Sequence, residues 1–597
     1  MDSNNSGELQ VDEKEIITLA RKFALLNAIY HDGRASLGSV IGRVFAEQPK
    51  LKHFPQRVNS LVREQVEKVN SLPLLDQRRA LLLEFPGAME NEDKRKQEIS
   101  RKEAEREPSL PELPDAIEGA VVTRFPPEPN GYMHIGHAKA AIIGREYATR
   151  YSGKFIVRFD DTNPSTEKLE YYGAFLDSLE WLGIKADRVK NASDDMEEFY
   201  KLAEVAMRNG KAYVCTCAQE DIRQMRAKGL ACAHRTNSVE ENLKLWEKMK
   251  KKEFKRNEAV LRFLGDIKSS NTAMRDPVLF RIVEDPHPLR GTKYHIWPTY
   301  DFDGPVEDSL DGVTHAMRSK EYELRDEVYC SILNSLGLRV PKIIEFSRLS
   351  LANTTVHKRT LKRLVEEKKV DGWDDPRIPT IAGLRRRGIL PEAIRRFIIS
   401  MGLSKVESEP TWDLLESINR KLLDPMAKRY FFVPHPVSLD VKGFPRVTVE
   451  IPYHPDRVEF GSRKIETNGR FAISSEDCEG LLPGSKIRLI EAYTVEIEES
   501  VGRTALLARM IENDLHGEDR GIKKLQWVAR DSCTSFEMKV LGPLLKEGGI
   551  FNEKSLTTVQ GLAEQSALEL REGELVQFVR IGFCRIDKPG VAILTHK

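Results

Sequence analysis

The chain has 597 residues, of which 40% are hydrophobic and 31% charged, and its 93 basic and 92 acidic residues nearly cancel. This length favours about three to five domains over a single core, and the composition excludes global disorder. No apolar run approaches the roughly 18 residues that a membrane helix needs, and the amino terminus lacks a signal-peptide pattern, so we expect a cytoplasmic protein without membrane contact.

The first 115 residues are predicted to form a helical appendage with a linker at its end. Apolar residues recur at spacings of three and four in IITLARKFALLNAIY, starting at Ile16, and in RRALLLEF, starting at Arg78. A charge run at 91–107 and the segment PSLPELP at 108–114 favour a solvated helix followed by a proline-stiffened linker. The appendage is a candidate for contacts with protein partners.

Residues 116–205 are predicted to form the first half of an α/β core. A strand-like AVVTRF starts at Ala120, a helical pattern runs from His134 to Tyr151, and KFIVRF then leads into Asp160 and Asp161. A second helical pattern, EYYGAFLDSLEWLGI, follows. This alternation favours a parallel sheet with right-handed crossovers, in which ligands bind beyond the carboxyl ends of the strands.

The rest of the chain is predicted to contain four further regions. The alternation breaks at 206–296, which we interpret as an insertion, and the sheet is expected to resume at HIWPTYDF to give the second half of the core at 297–360. Helical patterns return at 361–429. Short β-rich runs separated by Gly, Pro and Asp turns then predict β-barrels at 430–597.

The segment PEPNGYMHIGH, at Pro127 to His137, lies where a predicted strand turns into a helix. The first turn of a helix offers unpaired N–H groups and a positive dipole end to a phosphate. His134 and His137 would add donors, and Gly136 lacks the side chain that would block a flat base. The pattern predicts an ATP site; the alternative is that the two histidines only cap the helix.

RFPPEPNGYMHIGHAK resembles the HIGH motif of class I aminoacyl-tRNA synthetases, specifically their glutamyl and glutaminyl branch. Matching segments follow in order: VRFDDTNP, YDF, GVTHAMR and GWDDPRIPTIAGLRRRG. The resemblance covers residues 117–430 and extends more weakly to the β-rich end, because archaeal and eukaryotic members carry β-barrel anticodon domains. It implies a Rossmann-like core with an inserted acceptor-binding domain, a helical connector and C-terminal β-barrels, acting on tRNA with ATP and Mg²⁺.

The resemblance also implies the ATP-binding residues. The counterpart of the family's KMSKS loop is TVHKR, in which Lys358 would neutralise charge at the α-phosphate and act with the two histidines as a catalytic residue. The loop departs from the family at Thr355 and His357, and the alternative is an ordinary basic helix start. The ATP-binding set is Pro127, Glu128, Pro129, Asn130, Gly131, His134, Ile135, Gly136, His137, Val356, His357, Lys358 and Arg359.

The same resemblance implies an amino-acid pocket. Asp160 would take the α-ammonium, Arg124 and Tyr300 would reach the side chain, and Glu128 would form part of the wall. Arg318 favours L-glutamate over glutamine, because an arginine can grip a γ-carboxylate through two hydrogen bonds.

The expected reaction is ATP-dependent activation of glutamate and transfer to tRNA(Glu). A glutamine-specific enzyme and a non-catalytic RNA-binding protein derived from a synthetase are the alternatives. For single residues, Asp161 could only cap the next helix, and Arg318 could only form a surface ion pair.

Four residues of the insertion offer a metal-ligand set. Three thiols and one imidazole, in a CxC and a CxH pair, suit tetrahedral zinc, and some members of the family hold zinc with a similar pair. The alternative is a metal-free loop of reduced thiols. The candidate ligands are Cys215, Cys217, Cys232 and His234.

Basic clusters at Lys244–Arg256, Arg385–Arg387 and Arg395–Arg396 are candidates for contacts with tRNA phosphates. Charge runs are more often solvated faces.

Overall fold

The computed structural model describes residues 13–30, 33–89, 92, 109–407, 409–501, 505–512 and 522–597. The chain divides into two compact units, Met1–Glu107 and Pro108–Lys597. Apart from Glu92, the charge run at 91–107 lies outside the described residues, as does the first residue of PSLPELP. Among the described helices, none is both long enough and apolar enough to cross a membrane.

The first unit is built from helices, as its apolar spacing predicts. Phe23 and Leu26 of the first helix and Val62 of the third are almost completely buried in one apolar cluster. Among the described residues of this unit, the α-helices with both ends defined are α1 Glu13–Tyr30, α2 Leu37–Glu47, α3 Pro55–Asn70 and α4 Leu74–Glu84.

The second unit begins with three parallel strands joined by helices, in the order β1–β2–β3. The strands are β1 Val122–Phe125, β2 Lys154–Phe159 and β3 Arg188–Asn191; the helices are α5 Ile135–Arg150 and α6 Leu169–Trp181. KFIVRF coincides with β2, and His134 and Tyr151 are the residues that cap α5. The predicted parallel α/β arrangement is therefore confirmed here.

An antiparallel sheet of order β4–β5–β6–β7 follows, with three helices around it. The expectation that the parallel sheet resumes at HIWPTYDF is wrong, because Ile296 pairs with Ile282 in this antiparallel sheet and Trp297 is fully buried in its core. A short apolar strand has the same sequence pattern in either sheet. The elements are α7 Met196–Arg208, β4 Ala212–Cys215, α8 Gln219–Lys228, α9 Val239–Lys250, β5 Val260–Phe263, β6 Val278–Ile282 and β7 Ile296–Pro298.

The parallel sheet resumes only after one more helix. The elements are α10 Tyr300–Leu310, β8 His315–Ser319, α11 Asp326–Leu336 and β9 Lys342–Phe346, and β8 and β9 are parallel. Thr314 joins this pair to β1, because its amide donates to the Val122 carbonyl at 2.9 Å and its hydroxyl accepts from the Val122 amide at 2.8 Å. The strands thus follow one another as β3–β2–β1–β8–β9.

The connector predicted at 361–429 is helical. Its helices are α12 Lys358–Glu366, α13 Ile381–Arg387, α14 Pro391–Met401 and α15 Trp412–Leu423. Ile394 and Phe397 of α14 are fully buried in the same apolar cluster as Ile142 of α5, so the connector packs against the parallel α/β region.

The C-terminal region contains two mixed seven-stranded sheets and one hairpin, β13–β14, where the sequence predicts β-barrels. The orders are β10–β23–β24–β25–β21–β22–β11 and β19–β16–β17–β18–β12–β15–β20. Parallel pairs such as β10–β23 and β12–β18 require crossovers that a pattern of short strands and turns does not reveal.

The bounds of these elements are β10 Lys428–Tyr430, β11 Phe432–Pro434, β12 Pro436–Lys442, β13 Val447–Pro452, β14 Ser462–Thr467, β15 Arg470–Ser474, α16 Ser475–Cys478, β16 Lys486–Leu489, β17 Thr494–Val501, β18 Ala505–Glu512, β19 Lys523–Leu525, β20 Val528–Ala529, β21 Cys533–Leu541, β22 Leu556–Glu564, β23 Leu575–Phe578, β24 Gly582–Lys588 and β25 Val591–His596.

Candidate active site

A cavity of about 470 Å³ lies at the carboxyl ends of the parallel strands. Its walls come from the ends of β1, β2, β8 and β9 and from the first turns of α5 and α10. It is the place where a sheet of this topology binds its ligands. The predicted site residues that line it are Arg124, Pro127, Glu128, Asn130, His134, Gly136, His137, Asp160, Tyr300 and Arg318.

The two histidines of the HIGH segment cap α5 and also line the cavity. The Nδ1 atom of His134 accepts from the amides of Gly136 at 3.1 Å and His137 at 3.4 Å, and His137 Nδ1 accepts from the His134 amide at 3.3 Å. The two rings stack with centroids 3.7 Å apart. Capping and ligand binding are therefore compatible roles of the same side chains.

This capping changes which atoms can meet a phosphate. The amide of Ile135 donates to the Pro379 carbonyl, and the next two amides donate to His134, so these first-turn N–H groups already have protein partners. Burial lowers the pKa of His137 to about 4 and that of His134 well below its ordinary value, so both rings are neutral at pH 7. Because Nδ1 accepts in each ring, the proton sits on Nε2, which is the remaining donor.

A second cavity of about 270 Å³ adjoins the first and is lined by the KMSKS-like loop. The two cavities share Asn130, Arg348 and both histidines. The Lys358 side chain lies against Gly131, where an added Cβ would be 3.7 Å from its Cε. Burial lowers the pKa of Lys358, and the nearby Glu128 opposes that shift.

The departure from the family pattern at Thr355 has a local structural role. The Thr355 hydroxyl accepts from the His357 amide at 3.1 Å and holds the turn from which α12 starts at Lys358.

Three of the predicted ATP-binding residues line neither cavity with their side chains. Pro129 is buried, and Ile135 points into the core beneath α5. Arg359 is exposed on α12, where the helix turns it away from its neighbour Lys358. The other members of the set line one cavity or both.

Arg318 of β8 lines the cavity, and its side chain is 2% exposed. Its guanidinium donates to Asp326 at 2.6 Å and to the Tyr300 hydroxyl at 3.3 Å, while its Nε has no hydrogen-bond partner among the described residues. A buried guanidinium with an unused N–H can donate a hydrogen bond to a carboxylate. A surface ion pair, the alternative weighed from the sequence, does not describe this residue.

Arg124 and Asp160 line the same cavity and belong to a buried charge network. Asp308 accepts two hydrogen bonds of 2.9 Å from Arg124 and one of 2.8 Å from Arg158. Burial alone would raise the pKa of Asp308, but the two guanidinium groups lower it to about 2. Arg158 also holds Asp160 at 2.7 Å, which fixes the carboxylate at the cavity wall.

Several cavity-lining residues are absent from the predicted set. Asp303 stands one helical turn after Tyr300 on α10, so the i, i+3 spacing in YDFD was the signal that could have found it. Arg281 and Arg348 come from β6 and from the segment after β9, and no sequence pattern links these positions to the site.

Asp161 does not cap α6, which was the alternative role considered for it from the sequence. Its carboxylate accepts hydrogen bonds from the Ser193 amide and hydroxyl and from the Tyr172 hydroxyl.

The four candidate metal ligands of the insertion come together around one point. Their ligand atoms all lie within 4.8 Å of one another. The Sγ atoms of Cys215 and Cys232 are 3.8 Å apart, and His234 Nδ1 is 3.4 Å from Cys217 Sγ. Zn–S distances near 2.3 Å place tetrahedral ligands about 3.8 Å apart, so the spacing fits zinc.

Neighbouring polar groups orient these ligands. His234 Nε2 lies 2.9 Å from the Thr216 hydroxyl, which leaves Nδ1 to face the thiols. Arg262 reaches Cys232 Sγ at 3.8 Å and would offset thiolate charge. Such supporting contacts are usual around protein metal sites.

Two of the three basic clusters are largely occupied by ion pairs within the protein. Arg386 pairs with Asp587, Arg387 with Glu416, and Arg395 with Glu146. These arginines tie helices of the connector to neighbouring elements, so they are poorly placed as free phosphate contacts. In the third cluster, Lys250 pairs with Glu204 and Glu247.

Comparisons with known proteins match most of the chain. The family model for the catalytic domain of class I tRNA synthetases (E and Q) matches residues 120–425. Two models for the anticodon-binding domain of the same synthetases match residues 427–508 and 524–587. The resemblance that the motifs predict is therefore confirmed.

Two glutamate–tRNA ligases extend the match to nearly the full length of the chain. A glutamate–tRNA ligase of Nitrosopumilus maritimus is 46% identical over 98% of this chain and 100% of the relative, and one of Pyrococcus furiosus is 41% identical over 98% and 100%. A solved glutamate-tRNA synthetase from Elizabethkingia anophelis is 20% identical, covers 51% of this chain and 71% of that chain, and has a TM-score of 0.39. The chain belongs to the class I tRNA synthetases of the glutamate and glutamine branch, and within it to the glutamate–tRNA ligases.

Proposed function

We propose that the chain activates L-glutamate with ATP, forming glutamyl adenylate and releasing pyrophosphate, and then transfers the glutamyl group to the 3′ end of tRNA(Glu) for protein synthesis. The observation that carries the choice of glutamate is the buried Arg318 with its unused Nε–H at the end of the cavity. A γ-carboxylate would accept from that donor in a charge-assisted hydrogen bond. The neutral amide of glutamine satisfies the hydrogen bond only, which favours glutamate.

The geometry supports a mechanism of alignment and charge neutralisation. Asp160 holds the α-ammonium and Arg318 the γ-carboxylate, so the α-carboxylate is left to attack the α-phosphate of ATP. The Nε2–H groups of His134 and His137 donate to phosphate oxygens, and Lys358 neutralises the charge that builds up as pyrophosphate leaves. Mg²⁺, entering with ATP, supplies further positive charge to the phosphates.

The second step needs the tRNA acceptor end in the same place. A ribose hydroxyl of the terminal nucleotide attacks the glutamyl carbonyl, and AMP leaves. A third cavity of about 460 Å³ borders the active site through Glu128, Tyr300 and Tyr322 and reaches Arg226 of α8 in the insertion. This continuity supports residues 206–296 as the holder of the acceptor end.

The test is aminoacylation of total tRNA with MgATP and either labelled glutamate or labelled glutamine, followed by identification of the charged tRNAs. We expect incorporation of glutamate alone, on tRNA(Glu). Charging with glutamine would contradict the role given to Arg318. Charging with neither amino acid would favour the non-catalytic RNA-binding alternative.

We also propose that Cys215, Cys217, Cys232 and His234 hold a structural zinc ion. The four ligand atoms converge at tetrahedral spacing, and all four positions of the ion would be filled by protein. The ion would tie β4 to the segment after α8, more than 15 residues further along the chain.

Metal analysis of the purified chain tests this proposal. We expect one zinc per chain, and loss of that zinc in a Cys232→Ser variant, accompanied by a lower melting temperature. Cys584→Ser is the matched control, because Cys584 is a buried free thiol in the C-terminal sheet, away from the cluster. A wild-type protein with only trace zinc would refute the site.

A further inference from the structure

Asp303 is the one acidic residue on the main cavity wall that the mechanism above leaves unused and that has an unpartnered oxygen among the described residues. It lies in the first turn of α10, three residues after Tyr300, and is 1% exposed. Its Oδ2 accepts from the Thr162 hydroxyl, while its Oδ1 has no hydrogen-bond partner. A buried carboxyl oxygen without a donor is costly unless a ligand supplies one.

The nearby cations do not supply that donor. Arg158 is held by Asp160, Asp308 and Asp311, and Arg281 donates to the carbonyls of Pro298 and Thr162. Within the described parts of the chain, no ion pair joins Asp303 to a basic side chain. An N–H donor that enters the cavity from outside would supply the missing hydrogen bond, and a cationic donor would also balance the charge of the carboxylate.

Only one group of the substrates has that chemistry. Glutamate carries a single cation, its α-ammonium, with three N–H donors, whereas ATP brings anionic phosphates. Asp160, which the mechanism assigns to the ammonium, lies close enough to Asp303 to disfavour its ionisation. Resting on the proposed function, we propose that Asp303 is a second carboxylate of the ammonium subsite, whose Oδ1 accepts a hydrogen bond from the α-ammonium of bound glutamate.

The ionisation of Asp303 then couples to binding. Burial, followed by the charge of Asp160, raises the pKa of Asp303 to about 7, while Thr162, Arg158 and Arg281 pull in the opposite direction. An ammonium group favours the ionised form and lowers that pKa. Glutamate therefore binds more tightly as the pH rises through about 7, and binding below that pH releases a proton.

The test is the Asp303→Asn variant in glutamate-dependent pyrophosphate exchange with tRNA and MgATP present. We expect the KM for glutamate to rise about tenfold, with the KM for ATP and kcat nearly unchanged. The decrease of KM between pH 6 and 8 in the wild type should flatten in the variant. Glutarate, which lacks the ammonium, should inhibit both proteins with the same Ki.

Each other outcome counts against the proposal. If the KM for glutamate and the Ki for glutarate rise by the same factor, Asp303 supports the fold of the pocket. If the Mg²⁺ requirement changes while the KM for glutamate does not, Asp303 acts on the metal. Melting curves check folding, and Asp303→Ala replaces Asp303→Asn if that variant is unstable. Asp413→Asn, an exposed carboxylate on α15, is the matched control. Absence of exchange in the wild type would defeat the proposed function instead.

Discussion

The two ends of the catalytic cavity are built on opposite principles. At the end proposed to bind the amino acid, charged side chains are buried and held by other charged side chains, as Asp308 holds Arg124 and Arg158. At the end proposed to bind the phosphates, the lining groups are two neutral imidazoles and Lys358, which has no charged partner within hydrogen-bonding distance among the described residues.

We expect this difference to separate selection of the amino acid from catalysis. A fixed, buried charge network discriminates between ligands because any mismatch leaves an unpaired charge behind. Neutral donors and an uncommitted lysine can instead interact more strongly as charge develops on the phosphates. Changes at the amino-acid end should therefore raise KM for glutamate, and changes at the phosphate end should lower kcat.

Replacing Arg318 with leucine should give the largest effect. The γ-carboxylate of glutamate would lose its buried counter-charge, at a cost of about 3–5 kcal/mol, or a loss of roughly 10² to 10⁴ in kcat/KM. Steady-state kinetics with varied glutamate measures the change, and the KM for ATP should stay constant.

Arg318→Lys sharpens this experiment, because lysine keeps the charge and loses the planar fork. It should recover part of the lost activity. Arg57→Leu is the matched control, since Arg57 is 57% exposed and pairs with Glu13 in the N-terminal helical unit. An Arg318→Leu variant with full glutamate activity would contradict the role of Arg318 in binding the γ-carboxylate.

Replacing Lys358 with alanine should lower kcat by about a hundredfold and leave both KM values nearly unchanged. The reason is that its cation acts on charge present mainly in the transition state. Single-turnover formation of glutamyl adenylate measures the step directly. Lys362→Ala, one turn further along α12 and paired with Glu366 at the surface, is the control. A pure rise in KM would show that Lys358 acts in ground-state binding.

Replacing His137 with asparagine should have the smallest effect of the three, about a tenfold loss of kcat, equivalent to one hydrogen bond to a charged oxygen. The pKa of His137 is lowered to about 4, so the ring stays neutral and adds no step to the pH–rate profile between pH 6 and 8. A rate that falls steadily as this histidine loses a proton near neutral pH would contradict the neutral-donor role.

Local patterns in the sequence predict some parts of this fold well. The strand KFIVRF and the helix that begins after His134 follow from apolar periodicity and helix caps, which are local properties. The strand Ile296–Pro298 is misassigned from the sequence because its choice of partner strand depends on contacts that no local pattern encodes.

The candidate site likewise contains residues that local motifs predict and residues that they do not. The histidines, Asp160, Arg318 and Lys358 stand in short motifs and all line the two cavities. The spacing of Asp303 from Tyr300 places both on one face of α10, but the sequence does not show that Asp303 Oδ1 is buried without a hydrogen-bond partner among the described residues. The sequence of the connector predicts a basic surface from its clustered arginines. Their acidic partners, such as Asp587 for Arg386, come from distant segments, so the ion pairs cannot be predicted from a local pattern.

The hydrogen bonds between Thr314 and Val122 also have a consequence for biosynthesis. They join positions 192 residues apart, and the whole antiparallel sheet of the insertion lies between them. At about 5–20 residues per second, a ribosome needs roughly 10 to 40 s to make that segment. For most of this interval the nascent chain contains His134 and Asp160 but lacks β8 and with it Arg318, so the residue proposed to select glutamate is made well after the strand β1 beside which it must dock.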